Sequence, residues 1–189
     1  MCDDTVCRHA HAVARYATAL GLELGLTPGD LATLTTAALC HDLGKAAIPA
    51  RILDKPGPLT AREYAAVKAH AAIGARALAA VGLGGEVARI VGEHHERYDG
   101  TGYPAGKRGA DISIGARIVA VADALDAMLT DRCYAARRPL DCALAELARG
   151  AGTQFDPAVV AAAHRLAATR GAGSFAPAAE TPPALHAVA

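Results

Sequence analysis

Apolar residues recur three and four positions apart along most of the chain and almost never alternate one by one, the periodicity of helices packed on one face. Val6, Val13, Tyr16, Ala17 and Leu20 predict a first helix from about Asp4 to Leu24. Gly25 ends it, and Thr27-Pro28-Gly29-Asp30 opens a second helix through Leu31, Leu34 and Leu39 that runs into His41-Asp42-Leu43-Gly44-Lys45. The Pro/Gly-bounded stretch from Ile48 to Pro58 reads as a short helix and a turn. Thr60 and Glu63 have capping-box spacing and predict a helix reaching about Val81, with a break near His70. Further helices are expected from Glu86 to His95 and from Ser113 to Leu129, separated by a Gly-rich loop through Asp99 and Gly109. Asp141 and Asp156-Pro157 are the expected N-caps of two final helices. Beyond Gly171 the chain is Ala/Pro-rich without periodicity, so residues 172–189 read as a mostly disordered tail behind one domain over 1–171. The fold class is therefore all-α: a single helical bundle with short loops and no significant sheet.

Composition narrows the chemistry. With 52% apolar residues but only 4% aromatic, the core must be built from small side chains on closely packed helices. The 19 basic and 19 acidic residues cancel, which argues against duplex nucleic acid or a polybasic membrane partner. No stretch approaches the ~18 uninterrupted apolar residues of a membrane span. The five Cys are scattered without a CxxC pair, so neither a disulfide framework nor a zinc ribbon is indicated, and a cytoplasmic setting is the default. Eight His in so neutral a chain are the unusual feature.

Three clusters stand out, and they hold His41, His94 and His95. Adjacent helical residues point about 100° apart. His41 and Asp42 can therefore share a cavity only at a helix end, which Gly44 supplies, and Lys45 lies one turn on. His94-His95-Glu96 precede a Gly-rich loop, and Asp123 with Asp126 sit in an otherwise apolar helix, where a carboxylate is costly without a cation or donors. Each cluster taken singly has an ordinary reading as a capped or hydrogen-bonded pair. Together, these His and two or three Asp on separate helices point to a polynuclear site with ligands suited to Fe, Mn or Zn rather than Mg or Ca.

These motifs follow a fixed order: His9-Ala-His-Ala-Val-Ala-Arg-Tyr-Ala, His41-Asp-Leu-Gly-Lys45, Ile48-Pro49 and Lys55-Pro56-Gly57. They continue with His70 and Ile73-Gly74, then His94-His-Glu-Arg-Tyr-Asp-Gly-Thr-Gly-Tyr-Pro104, Ala116 to Asp126, and Gly152-Thr-Gln-Phe-Asp-Pro157. In this combination the chain, from about Arg8 to Arg165, resembles the HD-GYP domain, a branch of the HD phosphohydrolase superfamily. The resemblance implies two divalent metal ions, with Fe ahead of Mn and with Zn or Ni as alternatives. His9, His41, Asp42 and Asp123 would hold one; Asp42, His70, His94 and His95 would hold the other, Asp42 bridging. It implies hydrolysis of cyclic di-GMP to the linear dinucleotide pGpG or to GMP, by a water activated between the two metals. Lys45 would stabilise charge on the phosphoryl oxygens, Tyr103 would contact the ligand and Arg132 would clamp a phosphate. Asp99 and Asp126 are candidates to support the ligands by hydrogen bonds.

The sequence also departs from that family. Thr5 replaces the Glu that accompanies a third metal, so a two-metal site is expected, and Ala12 and Ala135 stand where cationic residues are usual. Weaker binding, another nucleotide or phosphoester, or a non-catalytic signalling module are the alternatives this raises. His164 and His186 are read as solvated, His11 as exposed or supporting a ligand, Arg137-Arg138 as a solvated face or a draw for a dinucleotide, and Cys40 as a small buried hydrophobe. A homodimer and a separate regulatory protein are compatible with the sequence, whose length reads as one catalytic domain without a sensor.

Overall fold

The computed structural model describes residues 4–131, 137–170 and 175. Its helices are α1 (Asp4–Glu23), α2 (Pro28–Cys40), α3 (Ala50–Leu53), α4 (Ala61–Lys68), α5 (His70–Ala80), α6 (Glu86–Glu93), α7 (Ile114–Leu129), α8 (Leu140–Gly150) and α9 (Pro157–Arg170), with short 3-10 turns at Leu43–Ala47 and Gly109–Asp111. No strand occurs among the described residues, only an isolated bridge between Ala151 and Phe155. None of these helices is long and apolar enough to cross a membrane.

The boundaries follow local chemistry. Thr27 caps α2 by accepting a hydrogen bond from Asp30 N, with Pro28 at the first turn where its missing N–H costs nothing. The Thr60–Glu63 capping box is present, and the predicted break falls at Ala69, so α4 and α5 are separate helices. Ser113 caps α7, and Asp156 accepts from Ala158 N in front of Pro157. Asp141 is not a cap. It lies inside the first turn of α8, after Pro139, where a carboxylate still suits the positive end of the helix.

Helix α7 carries Ile118, Val119, Val121, Ala122 and Leu125, all buried, and packs against Val13, Ala17 and Leu20 of α1 and Val159, Ala163 and Leu166 of α9. Alanines let the helices approach closely, which is how a chain this poor in aromatics fills a core. Phe175, inside the stretch expected to be tail, is 3% exposed; its carbonyl accepts the Tyr16 hydroxyl at 2.8 Å. Phe175 thus packs against α1 although it falls beyond the expected boundary at 171. Tyr16→Phe leaves that buried carbonyl without its donor and is expected to cost about 1–2 kcal/mol, read as a lower denaturant midpoint at unchanged slope. An unchanged midpoint would separate Phe175 from the fold.

One covalent feature was not expected from the cysteine spacing. Cys7 is disulfide-bonded, whereas Cys40 and Cys142 are free. Cys40 is half-buried against the core, and burial raises its thiol pKa, in keeping with an apolar role.

Candidate metal centre

Each helix that ends near the centre of the bundle delivers a histidine there. Helix α2 stops at Cys40; His41, its C-cap, keeps helical dihedrals, while Asp42 departs from them at φ −96° and ψ 4°, which frees the two side chains from the fixed helical offset. Helix α5 begins at His70, and α6 stops at Glu93, just before His94 and His95, two residues short of the expected end. His9 comes from α1 and Asp123 from α7.

The imidazoles are oriented alike. Nδ1 of His41, His70 and His94 each lies 2.7–2.8 Å from the carbonyl three residues earlier, of Ala38, Val67 and Val91. A carbonyl only accepts, so Nδ1 carries the proton and Nε2 presents a lone pair. Nε2 of His70 and His94 then lie 3.4 Å apart, lone pair towards lone pair. Nε2 of His41 is buried without a hydrogen-bond partner among the described residues. Such an arrangement is unfavourable by itself and is satisfied by a cation between the nitrogens.

Asp42 is the anion they surround. Its Oδ1 is 3.4 Å from His70 Nε2, and its Oδ2 is 3.5 Å from His41 Nε2 and 3.9 Å from His9 Nε2. Ligand atoms of Asp42, His70, His94 and His95 lie within 4.8 Å of one another, and so do those of His9, His41 and Asp42. Two potential metal groups thus share one carboxylate. Asp123 Oδ1 is 3.4 Å from His9 Nε2, at the edge of the second group. The donor set, neutral imidazole with carboxylate, fits first-row divalent ions.

Electrostatics agree with that reading. Burial lowers the pKa of His70; it lowers that of His94 well below the ordinary value with His95 and His41 adding to the effect, and that of His95 to about 4 with His70 next in weight. These rings are neutral at pH 7 and free to ligate. At Asp42 burial pushes the pKa up, but His41 and Lys45 outweigh it and hold the carboxyl well below the usual range. His9 moves the other way: burial lowers it, yet Asp126, Asp123 and Asp42 together raise it, a pocket that attracts positive charge.

Asp126 lies directly behind His9. Its Oδ2 accepts from His9 Nδ1 at 2.6 Å and its Oδ1 from Thr130 Oγ1 at 3.2 Å. A buried carboxylate behind a ligating imidazole orients the ring and raises its basicity. Asp126→Ala is expected to weaken metal binding at the His9 group by about 10–100-fold, measured by competition with a chelator. Equal affinity in the variant would remove this role.

Asp99, the other candidate for support, does not take it. Its Oδ1 accepts from Thr101 N and Oγ1, and its Oδ2 from Arg97. It shapes its own loop, because an Asp at the start of a turn binds the backbone two residues on. Lys45 Nζ donates to Asp42 Oδ2 at 2.6 Å, and the Tyr103 ring lies 4.9 Å from that of His95 at 30°. Helix α7 ends at Leu129 and Thr130 is extended. Arg132 and Ala135 themselves, with His186, lie outside the described residues. Of the remaining histidines, His11 binds the carbonyl of Cys7 on the surface, and His164 is exposed.

Several positioning groups escaped the sequence reading. Glu96 is buried, and its two oxygens accept from Ala105 N and Lys107 N, pinning the Gly-Tyr-Pro loop from both ends. Glu93 accepts from Ser113 N at 2.7 Å, and also from Arg89 and Lys107, joining that loop to the start of α7. The available signal was a charged residue on each side of the His94-His95 pair. Gly102 is required by sterics, since a Cβ there would stand 2.3 Å from Arg97 N and 2.6 Å from Glu96 Cα. The Gly-Thr-Gln-Phe-Asp-Pro segment is also structural: its Thr153 and Gln154 carbonyls accept from Asp99 N and Tyr98 N, and Asp156 pairs with Arg117.

A family model described as "HD domain" matches residues 3–159. The chain belongs to the HD domain family. This HD domain is 42% identical over 154 residues to the 3'3'-cGAMP-specific phosphodiesterase 3 of Vibrio cholerae, covering 82% of this chain and 34% of that protein. It is 40% identical over 164 residues to a cyclic di-GMP phosphodiesterase of Thermotoga maritima, covering 84% of this chain and 44% of that protein. Among solved structures, an HDG"Y"P protein from Bdellovibrio bacteriovorus superposes with a TM-score of 0.69 at 27% identity, covering 87% of this chain and 53% of that one. The resemblance of the HD domain to HD-GYP proteins, read from its motifs, therefore holds. The HD domain spans less than half the length of the curated relatives it matches.

Proposed function

We propose that this HD domain is a metal-dependent phosphodiesterase that hydrolyses cyclic di-GMP to pGpG, GMP or both. One observation carries the reading: two groups of ligand atoms, each within 4.8 Å, meet at the carboxylate of Asp42. Two divalent ions bound there would polarise a phosphate and lower the pKa of a water between them. We assign one ion to His9, His41, Asp42 and Asp123 and the other to Asp42, His70, His94 and His95, with Fe as the first choice and Mn as the second.

The chain's own residues prepare the reaction. The carbonyls of Ala38, Val67 and Val91 lock three imidazoles with Nε2 inward, so no reorientation is needed when a ligand arrives. His41, His70 and His94 are 1–2% exposed, which keeps competing water from their lone pairs. Lys45 is 42% exposed, so its ammonium can reach the phosphoryl oxygens where negative charge grows while keeping Asp42 ionised. Tyr103, stacked on His95, offers a ring face and a hydroxyl to the substrate at the mouth. Arg132 is assigned the second clamp on phosphate.

The test is turnover by metal-reconstituted protein of cyclic di-GMP, 3'3'-cGAMP, and nucleoside mono- and triphosphates, with products resolved chromatographically. Release of pGpG or GMP is expected. Turnover of a mononucleotide with none of cyclic di-GMP would replace this reading with that of a nucleotide phosphohydrolase. Fewer than one metal ion per chain after anaerobic reconstitution would favour a non-catalytic module.

A further inference from the structure

The sequence contains four lysines. Three hold carboxylates: Lys45 on Asp42, Lys55 on Glu63 and Lys107 on Glu93. Lys68 has no carboxylate within ion-pairing distance among the described residues. Its ammonium instead lies over two tyrosine rings, 5.1 Å from the centroid of Tyr64 and 5.8 Å from that of Tyr103. Tyr103 in turn stacks on His95, a residue of the candidate metal centre. The column Lys68–Tyr103–His95 therefore places an uncompensated positive charge one ring beyond the ligands.

The two aromatic faces matter. They orient the ammonium through their negative quadrupoles without neutralising it, whereas a carboxylate would have cancelled the charge. Lys68 is the last residue of α4, and Ala69 separates it from His70, so its backbone is fixed to the same helix junction that delivers a ligand. Tyr64 stands one turn earlier, at i−4, on the same face of α4. The cation is thus held between a helix face and the Gly-Tyr-Pro loop rather than left to sweep through solvent.

A cyclic dinucleotide carries two phosphates, and the metal centre has a use for one. Lys45 is committed to Asp42 and, on the functional reading above, would serve that same phosphate. The other phosphate needs a cation set to one side, at a distance that a metal ligand cannot supply. Resting on the functional reading above, we propose that Lys68, steadied by Tyr64 and Tyr103, is a second anion subsite that binds the non-scissile phosphate of a cyclic dinucleotide. Lys68 is then a specificity determinant for substrates with two phosphates, and it takes no part in the bond-breaking step.

The test compares the metal-loaded parent with Lys68→Ala and Lys68→Arg on two substrates, cyclic di-GMP and bis(p-nitrophenyl) phosphate, which has a single phosphate. Lys68→Ala is expected to raise KM for cyclic di-GMP by about 10–100-fold, the range for losing one charge-assisted contact, with kcat changed less than about threefold. Lys68→Arg keeps the charge and is expected to stay within about fivefold of the parent. All three proteins should hydrolyse bis(p-nitrophenyl) phosphate alike and carry equal metal. An unchanged KM for cyclic di-GMP in Lys68→Ala overturns the subsite and leaves Lys68 as a favourable charge at the C-terminus of α4. An equal loss on both substrates overturns it too, because the effect then passes through the metal centre or the fold. If the parent cleaves bis(p-nitrophenyl) phosphate but not cyclic di-GMP, the functional reading fails. The subsite is then judged by binding: weaker affinity of Lys68→Ala for cyclic di-GMP supports it, and equal affinity overturns it.

Discussion

Asp42→Ala is expected to strip the protein of both metal ions and to lower phosphodiesterase turnover by at least about a thousandfold. The reason is geometric. Both groups of ligand atoms include Asp42, one through each side of its carboxylate, and it is the anion common to His9, His41 and His70. Its removal leaves Lys45 without its partner and a set of lone pairs with no shared negative charge to hold a divalent ion. Single-group variants set the contrast. His41→Ala touches only the His9 group and His95→Ala only the other, so each should retain about one ion per chain. Metal content by elemental analysis of the three variants decides the matter. Asp42→Ala protein with a full complement of metal would show that the carboxylate does not bridge, whatever its activity.

Gly44→Ala should be nearly as damaging, although Gly44 bears no side chain and binds nothing. A Cβ there would stand 2.0 Å from the carbonyl oxygen of His70 and 2.7 Å from Gly74 N. Those are backbone atoms, so no rotamer change relieves the clash, and the 3-10 turn must separate from α5. That contact is what brings His70 against Asp42. We expect a loss of roughly 3 kcal/mol or more in stability, together with loss of the ion assigned to the His70 group. Gly29→Ala is the control, since the nearest atom to its added Cβ is Thr27 Oγ1 at 3.9 Å. If the two variants unfold at the same denaturant concentration, the Gly44 contact is not the constraint described.

Much of the site was legible beforehand because metal chemistry leaves local marks. A His-Asp pair at a helix end, two adjacent His before a Gly-rich loop and a carboxylate in an apolar helix are each visible within a few residues. Local capping chemistry was equally legible at Thr27-Pro28, Thr60–Glu63 and Asp156-Pro157. Asp99 is held differently: the donors that bind it, on Thr101 and Arg97, are in its own loop.

The sequence by itself determined the class of fold, the helix order and the His41-Asp42, His94-His95 and Asp123-Asp126 candidates, because helical periodicity and donor type are properties of short segments; His9 and His70 entered through the resemblance to the HD-GYP family. Only the tertiary structure decided which oxygens and nitrogens meet. The sharing of Asp42 between two groups depends on the His9 turn of α1, the end of α2, the start of α5 and the end of α6 meeting at one place. The close approach of Gly44 to α5, the pinning of the Gly-Tyr-Pro loop by Glu96 and the seating of Phe175 under Tyr16 join residues far apart in the chain. No local pattern encodes such contacts: each depends on how several helices pack, and packing is set by the sum of many small side chains rather than by any one motif.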